Sequence, residues 1–236
     1  MMKLDGQTVL SHVVARCKRI THANVVCVAT TESSQDDRVA HEAASCGAFV
    51  FRGSDNDVLT RYFRAAKHLA ADIVLRVTCD CPLLDPDVAN GMVQICGEQT
   101  IDYVSNNLPP TWPHGLDCEA FTMEALARCN RETRILTDRE HVTPWLRTND
   151  SVRKVNMACP EIGLEKHRWT LDYREDLEFF RQLSAILSKP LVAVSWQDCL
   201  AAVQQHKELC QINSGRVDAL RLEQCTKEGD NDDISV

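Results

Sequence analysis

A doubly wound α/β fold is what this sequence predicts, and three observations predict it. Short β-branched apolar runs alternate with longer stretches of helical period through the first third of the chain. The connections between them are short, as expected for parallel strands joined by crossover helices. The clearest apolar run, DIVLRVT at 72–78, stops in an acidic, proline-rich turn, TCDCPLLDPD. Open α/β sheets bind their ligands at that carboxyl end of a strand.

The elements can be taken in chain order. Residues 8–20 set Val9, Leu10, Val13, Val14, Cys17 and Ile20 at helical spacing. NVVCVAT at 24–30 has the unbroken apolar character of a buried strand. DDRVAHEAASCGA reads as a helix ending near Gly47, with the strand AFVFRG after it. NDVLTRYFRAAKHLAA is amphipathic, with Val58, Leu59, Tyr62, Phe63, Ala66 and Leu69 on one side. After Asn90 the rhythm changes: IDYVSNNLPPTWPHGLDCEAFT holds three prolines and only short apolar runs. Helices come next near 122–130 and 138–147, and the stretch of about 100–165 reads as an insertion or arm on the core. From Trp169 a strand end and the helix YREDLEFFRQLSAIL restore the core pattern, and SWQDCLAAVQQHKEL is a final helix. One domain is expected over 1–215, with 216–236 a polar, acidic and disordered tail.

The bulk numbers agree with a soluble globular chain: 236 residues, 44% hydrophobic and 25% charged. A formal charge of −8 argues against non-specific binding of nucleic acid or of a membrane surface. No apolar run approaches the roughly 18 residues of a membrane span, and the N-terminus lacks the apolar core of a signal peptide. A reducing, cytoplasmic setting is expected. The twelve cysteines fit it, since they are scattered singly without a CxxC pair and most sit inside apolar patterns.

The turn at 78–87 contains three aspartates. Asp85 precedes Pro86 as a helix N-cap precedes a first-turn proline, and Asp87 suits the positive end of that helix. Asp80 lies at or just past the strand end. Two readings stay open for it: a ligand for Mg²⁺, which takes one or two carboxylates beside phosphate oxygens, or another turn residue. Cys79 and Cys81, two apart on extended chain, point to opposite faces and do not make a soft-metal pair.

Four segments, IVLRVTCDCPLLDP, DYVSNNLPPTWPHGLDCEAFT, DREHVTPWL and HRWTLDYREDLE, in this order resemble the motif series of the SpsF-type spore-coat polysaccharide cytidylyltransferases. These are relatives of the enzymes that make CMP-activated acidic sugars. The resemblance covers about residues 3–215 and implies a Rossmann-like nucleotide-sugar transferase (GT-A-like) fold. It implies CMP transfer from CTP to an acidic sugar of nonulosonic or Kdo type, with Mg²⁺ as cofactor and a homodimer built through the middle section. By the same resemblance Asp80 and Asp172 are the catalytic, metal-holding aspartates, although Tyr173 and Arg174 replace the Thr-Pro that relatives often carry after the second. Arg52, Gly53, Ser54, Asp57 and Arg76 fall on the nucleotide side. Asn106, Asp117, Glu119, Glu140 and His141 fall on the sugar side. Simpler roles compete: turn and cap for Arg52 and Asp57, helix start for Glu140, His141, Glu175 and Asp176, and a solvated loop for His114.

The N-terminus departs from the family pattern. Relatives open with a strand and a basic phosphate loop, and MMKLDGQTVLSHVV resembles the segment directly after that loop. One reading is a fragment or misplaced start; another is a shortened, weakly binding partner subunit. A cysteine-dependent metal or redox protein is the third. Without the loop's donors the chain as written is expected to show little CMP-sugar synthesis.

Overall fold

A computed structural model describes residues 1–98, 100–219 and 221. The chain opens with a hairpin of β1 (Lys3–Leu4) and β2 (Gln7–Thr8). The Thr8 hydroxyl then caps α1 (Val9–Cys17) by accepting from the Ser11 amide. β3 (Cys27–Thr31), α2 (Asp37–Ser45) and β4 (Phe49–Gly53) form a βαβ unit whose strands pair in parallel, Cys27 opposite Phe49. α3 (Val58–His68) leads into β5 (Ile73–Arg76), and α4 (Pro86–Cys96) comes after the acidic turn. Next are β6 (Tyr103–Ser105), β7 (Glu119–Thr122), α5 (Met123–Glu132), α6 (Leu136–His141), α7 (Pro144–Thr148) and β8 (Lys154–Asn156). α8 (Arg174–Ile186), α9 (Trp196–Gln205) and α10 (Glu208–Ile212) complete the described helices.

The α/β alternation stands, but the expected single, mostly parallel sheet is two sheets. β3 and β4 form one; β5, β7, β6 and β8, in that order, form a mixed second one. β7 runs antiparallel to both neighbours, while β6 and β8 are parallel. Among the described residues β3 pairs only with β4, and β5 only with β7. A cavity of about 810 Å³ lies between the two unpaired edges, lined by apolar side chains that include Val13, Cys17, Val26, Tyr62, Ala66 and Val77.

Three further expectations change. The stretch around 100–165 is not an appended arm, because β6 and β7 are the central strands of the larger sheet. Tyr103, Val104, Ala120 and Phe121 are buried there. The helix near 138–147 is broken in two: Val142 takes φ 73°, and Pro144 starts a new helix at its first turn. The final helix breaks at His206, which leaves the helical region with ψ 71°. Of the tail, residue 220 and residues 222–236 lie outside the described residues. Arg216 and Arg221, placed in that tail by the sequence, pair instead with Glu175 at 2.9 Å and Asp117 at 3.0 Å.

A buried arginine ties α1 to the acidic turn. The Arg16 guanidinium donates to the carbonyls of Leu84 at 2.5 Å, Leu191 at 2.5 Å and Val194 at 2.9 Å. It joins the turn after β5 to the segment before α9. Behind that turn, Trp112, Trp169 and Trp196 pack with Phe179 and Phe180 in one apolar cluster.

Candidate functional site

The acidic turn is set from both ends. Asp85 caps α4: its Oδ1 accepts from the amides of Asp87 at 2.9 Å and Val88 at 3.4 Å. Its Oδ2 accepts from the Trp196 amide at 2.8 Å, which docks the start of α9 on the same carboxylate. Asp80, half-buried, lies upstream of this anchor. Its carbonyl accepts from the Leu171 amide at 2.8 Å, and its Oδ2 accepts from the Thr170 hydroxyl at 3.1 Å. The chain around 170–172 therefore runs directly against Asp80.

Residues 168–172 read Arg-Trp-Thr-Leu-Asp. Trp169 and Leu171 are buried in the core cluster. Arg168, Thr170 and Asp172 alternate with them and supply the polar contacts, as extended chain with period two demands. On the other side this segment bridges in parallel to His114. The Trp169 amide donates to the His114 carbonyl at 2.6 Å, and the His114 amide to the His167 carbonyl at 2.9 Å. Gly115 makes that approach possible: at φ 113° a Cβ would fall 2.1 Å from the Trp169 carbonyl oxygen. Asp80, the loop 114–117 and the 168–172 segment thus converge.

Asp117 turns inward there. Its Oδ2 accepts from the Gly115 amide at 3.0 Å and lies 3.9 Å from His114 Nε2, and its Oδ1 pairs with Arg221. His114 is therefore not a solvated loop residue. Burial lowers its basicity; Asp117 pulls the other way, and Arg221 and Arg168 add to the lowering, so the imidazole is neutral near pH 7. Asp172 is 44% exposed and is held through Oδ2 by Arg168 at 2.7 Å. Arg168 and Thr170 were absent from the sequence-derived candidates. The alternation of Trp169 and Leu171 with polar neighbours is the signal that marks them.

The remaining candidates separate. Arg52 is engaged locally, with Nε on the Thr31 carbonyl at 2.8 Å, Nη1 on Asp37 at 2.6 Å and Nη2 on the Ser33 carbonyl at 2.7 Å. Gly53 ends β4, Ser54 accepts from the Asp57 amide at 3.1 Å, and Asp57 caps α3 while pairing with Arg139 at 2.8 Å. The turn and cap roles are present for this group.

Glu119 does not fit a sugar contact. It is buried on β7, and its Oε1 accepts from Tyr103 at 2.5 Å and from Arg147 Nη2 at 2.6 Å. Its Oε2 accepts from Arg76 at 2.7 Å and Thr143 at 3.2 Å. Burial pushes this carboxyl up, but Arg147, Arg76 and the Tyr103 hydroxyl outweigh it and hold the group below the usual range. Arg76, expected on the nucleotide side, is the partner of this buried acid. Asn106 is likewise fully buried: Nδ2 donates to the Leu116 carbonyl at 2.8 Å and Oδ1 accepts from the Cys118 amide at 2.9 Å. It closes the loop between β6 and β7. Glu140 and His141 lie exposed at the end of α6, not at the start of a helix. Cys17, Cys81, Cys96, Cys118, Cys129 and Cys199 are buried as apolar side chains would be, and burial raises the thiols of Cys17, Cys96, Cys129 and Cys199 to about 12.

Comparison with known proteins bears on the chain as a whole. A family model described as cytidylyltransferase matches residues 1–217. An uncharacterized protein of Methanocaldococcus jannaschii is 29% identical over 216 residues, covering 91% of this chain and 87% of that one. The spore coat polysaccharide biosynthesis protein SpsF of Bacillus subtilis is 29% identical over 160 residues, 66% of this chain and 65% of its own length. A solved cytidylyltransferase from Leptospira borgpetersenii serovar Hardjo-bovis superposes with a TM-score of 0.84 at 29% identity, covering 89% of this chain and 88% of that one. CMP:2-keto-3-deoxy-manno-octonic acid synthetase, solved with CTP, shares the fold at a TM-score of 0.57 and 16% identity, over 78% and 90% of the two chains. The family match spans nearly the whole described chain, so this protein belongs to the cytidylyltransferase family of nucleotidyltransferases.

Proposed function

We propose that this protein transfers a cytidylyl group from CTP to an acidic sugar destined for a surface or spore-type polysaccharide, with Asp80 and Asp172 holding Mg²⁺. The observation that supports this reading is the Leu171 amide bonded to the Asp80 carbonyl at 2.8 Å, which sets the segment that carries Asp172 against the residue that follows β5. The donor set suits a hard ion. Asp80 Oδ1 meets only the Cys81 thiol, at 3.8 Å, and Asp172 Oδ1 meets no donor among the described residues. One carboxylate oxygen without a donor among the described residues and one that meets only a thiol suit Mg²⁺, which keeps waters and shares phosphate oxygens. No group of three or more His, Cys, Asp or Glu among the described residues makes a closed cage. A Mg²⁺ held by Asp80 and Asp172 would supply charge neutralisation for the phosphates and the leaving pyrophosphate.

The chain's own residues orient and insulate. Thr170 holds the Asp80 carboxylate, and Arg168 holds that of Asp172. Trp169 and Leu171 anchor this segment in the apolar core. In this reading His114, beside Asp117 at 3.9 Å, would be the group that accepts a proton from a sugar hydroxyl. The acidic-sugar assignment rests on the motif resemblance, and the name of the SpsF relative supports polysaccharide synthesis. We also read the protein as a homodimer joined through its middle section, where Ile135 and Leu136 stand 61% and 82% exposed.

The test is pyrophosphate release with Mg²⁺, comparing CTP with ATP, GTP and UTP against acidic and neutral sugars. Release specific to CTP and to an acidic sugar, lost in Asp80→Asn and in Asp172→Asn, is expected. Turnover that survives both substitutions would overturn the metal assignment.

A further inference from the structure

Asp172 is an exposed carboxylate attached to a buried apparatus. Its side chain is 44% exposed, whereas that of Arg168, which grips its Oδ2 at 2.7 Å, is 4% exposed. Arg168 is itself clamped in a fork by Asp176: Nε to Oδ1 at 2.9 Å and Nη2 to Oδ2 at 2.9 Å. Asp176 is fully buried and does more than open α8. Its Oδ2 also accepts from the backbone amides of Asp172 at 3.0 Å and Tyr173 at 2.9 Å. Its Oδ1 accepts from Asn213 Nδ2 at 3.0 Å, and the same nitrogen donates to the Arg168 carbonyl at 3.0 Å.

One buried unit therefore fixes Asp172 twice, through its amide by way of Asp176 and through one carboxylate oxygen by way of Arg168. The charges of Arg168 and Asp176 cancel inside the fold, which leaves the charge of Asp172 facing outward. A guanidinium can do this because its planar donors engage two carboxylates at once; an ammonium on a flexible stem does not hold both in one geometry. A plain ion pair stapling α8 to the 168–172 segment would not need the third carboxylate, that of Asp172.

Resting on the metal reading given above, we propose that Arg168 is a positioning residue for the divalent cation: with Asp176 and Asn213 behind it, it holds Asp172 so that Oδ1 alone is offered to the ion. Partners of metal ligands of this kind typically change metal affinity by about 10- to 100-fold when altered.

The experiment titrates the full chain with Mn²⁺ alone, reading free ion by electron paramagnetic resonance and checking the folded fraction by circular dichroism. Arg168→Lys should weaken Mn²⁺ binding about tenfold or more while the protein remains folded. A double-mutant cycle of Arg168→Lys with Asp172→Asn should be strongly non-additive, since both act through one carboxylate. If Arg168 serves only the packing of α8, melting falls and Mn²⁺ affinity does not move. If its charge merely repels the ion, Arg168→Gln binds Mn²⁺ more tightly. Either result overturns the proposal. Should Arg168→Lys fail to fold, Asn213→Ala keeps both charges and removes one donor to Asp176, and weaker Mn²⁺ binding is again required. Failure of the metal reading looks different: Asp80→Asn and Asp172→Asn would then leave Mn²⁺ binding at the wild-type level.

Discussion

Glu119→Gln should destabilise the whole fold and not merely weaken a substrate. The carboxylate is buried between strands and joins Arg76 from β5, Tyr103 from β6, and Thr143 and Arg147 from the region of α7. Glutamine keeps the volume but turns one acceptor oxygen into a donor, which then faces a guanidinium or a hydroxyl. Removing one member of a buried ion pair costs about 3–5 kcal/mol, because the partner charge is left uncompensated. Arg76 and Arg147 retain 22% and 28% side-chain exposure, and the water that reaches them lowers the expected loss to about 3 kcal/mol. For a chain of this size that is a fall in Tm of roughly 6–12 °C. Thermal melting by circular dichroism, with urea unfolding as a second measure, reads it directly. A variant that melts within about 2 °C of wild type while raising KM for the sugar would refute the burial argument and restore the sugar-contact role expected from sequence.

Three other outcomes rest on the same geometry. Gly115→Ala combines a positive φ with a clash against the Trp169 carbonyl, and should cost on the order of 3 kcal/mol or more in urea unfolding. Stability should fall on acidification: Arg153 holds Asp102 low, and Glu119 is held below its usual range by Arg147 and Arg76 against the opposing effect of burial. A carboxyl lowered by folding contributes fully above its unfolded value, near pH 4, and that contribution disappears as pH drops through the lower folded value. Melting temperatures should therefore be flat near neutrality and decline below about pH 4, and a decline beginning near pH 6 would contradict the assignment. Cys17, Cys96, Cys129 and Cys199, with thiols raised to about 12, carry about one thiolate in ten thousand at pH 8. Iodoacetamide treatment and mass spectrometry should find these four unlabelled until urea unfolds the chain.

The legible features were those written in local spacing. Asp85, Pro86 and Asp87 announce a helix start, and the structure places each in that role because cap chemistry lies within three residues of itself. DIVLRVT holds the strand Ile73–Arg76 and NVVCVAT most of Cys27–Thr31, for the same local reason. What the period cannot carry is which strand lies beside which. The stretch from 103 to 122 contains proline-rich loops that look like an excursion, yet its two short strands are the middle of the sheet. Their burial is set by pairing with β5 and β8, not by their own length.

The same limit explains the site. Glu119 and Asp172 are both acids at segment ends and look alike in one dimension. Their difference lies in partners 16 to 43 residues away for Glu119, which consume its acceptors, against partners four residues away for Asp172, which leave one oxygen outward. Arg168-Trp169-Thr170-Leu171-Asp172 is the instructive case. Read with period two, it already separates a core face from a polar face, and the polar face carries the aspartate, the arginine that holds it and the threonine that meets Asp80. A candidate metal-holding aspartate is better sought in the alternation around it than in the acid itself, because that alternation also names the side chains that hold it in place.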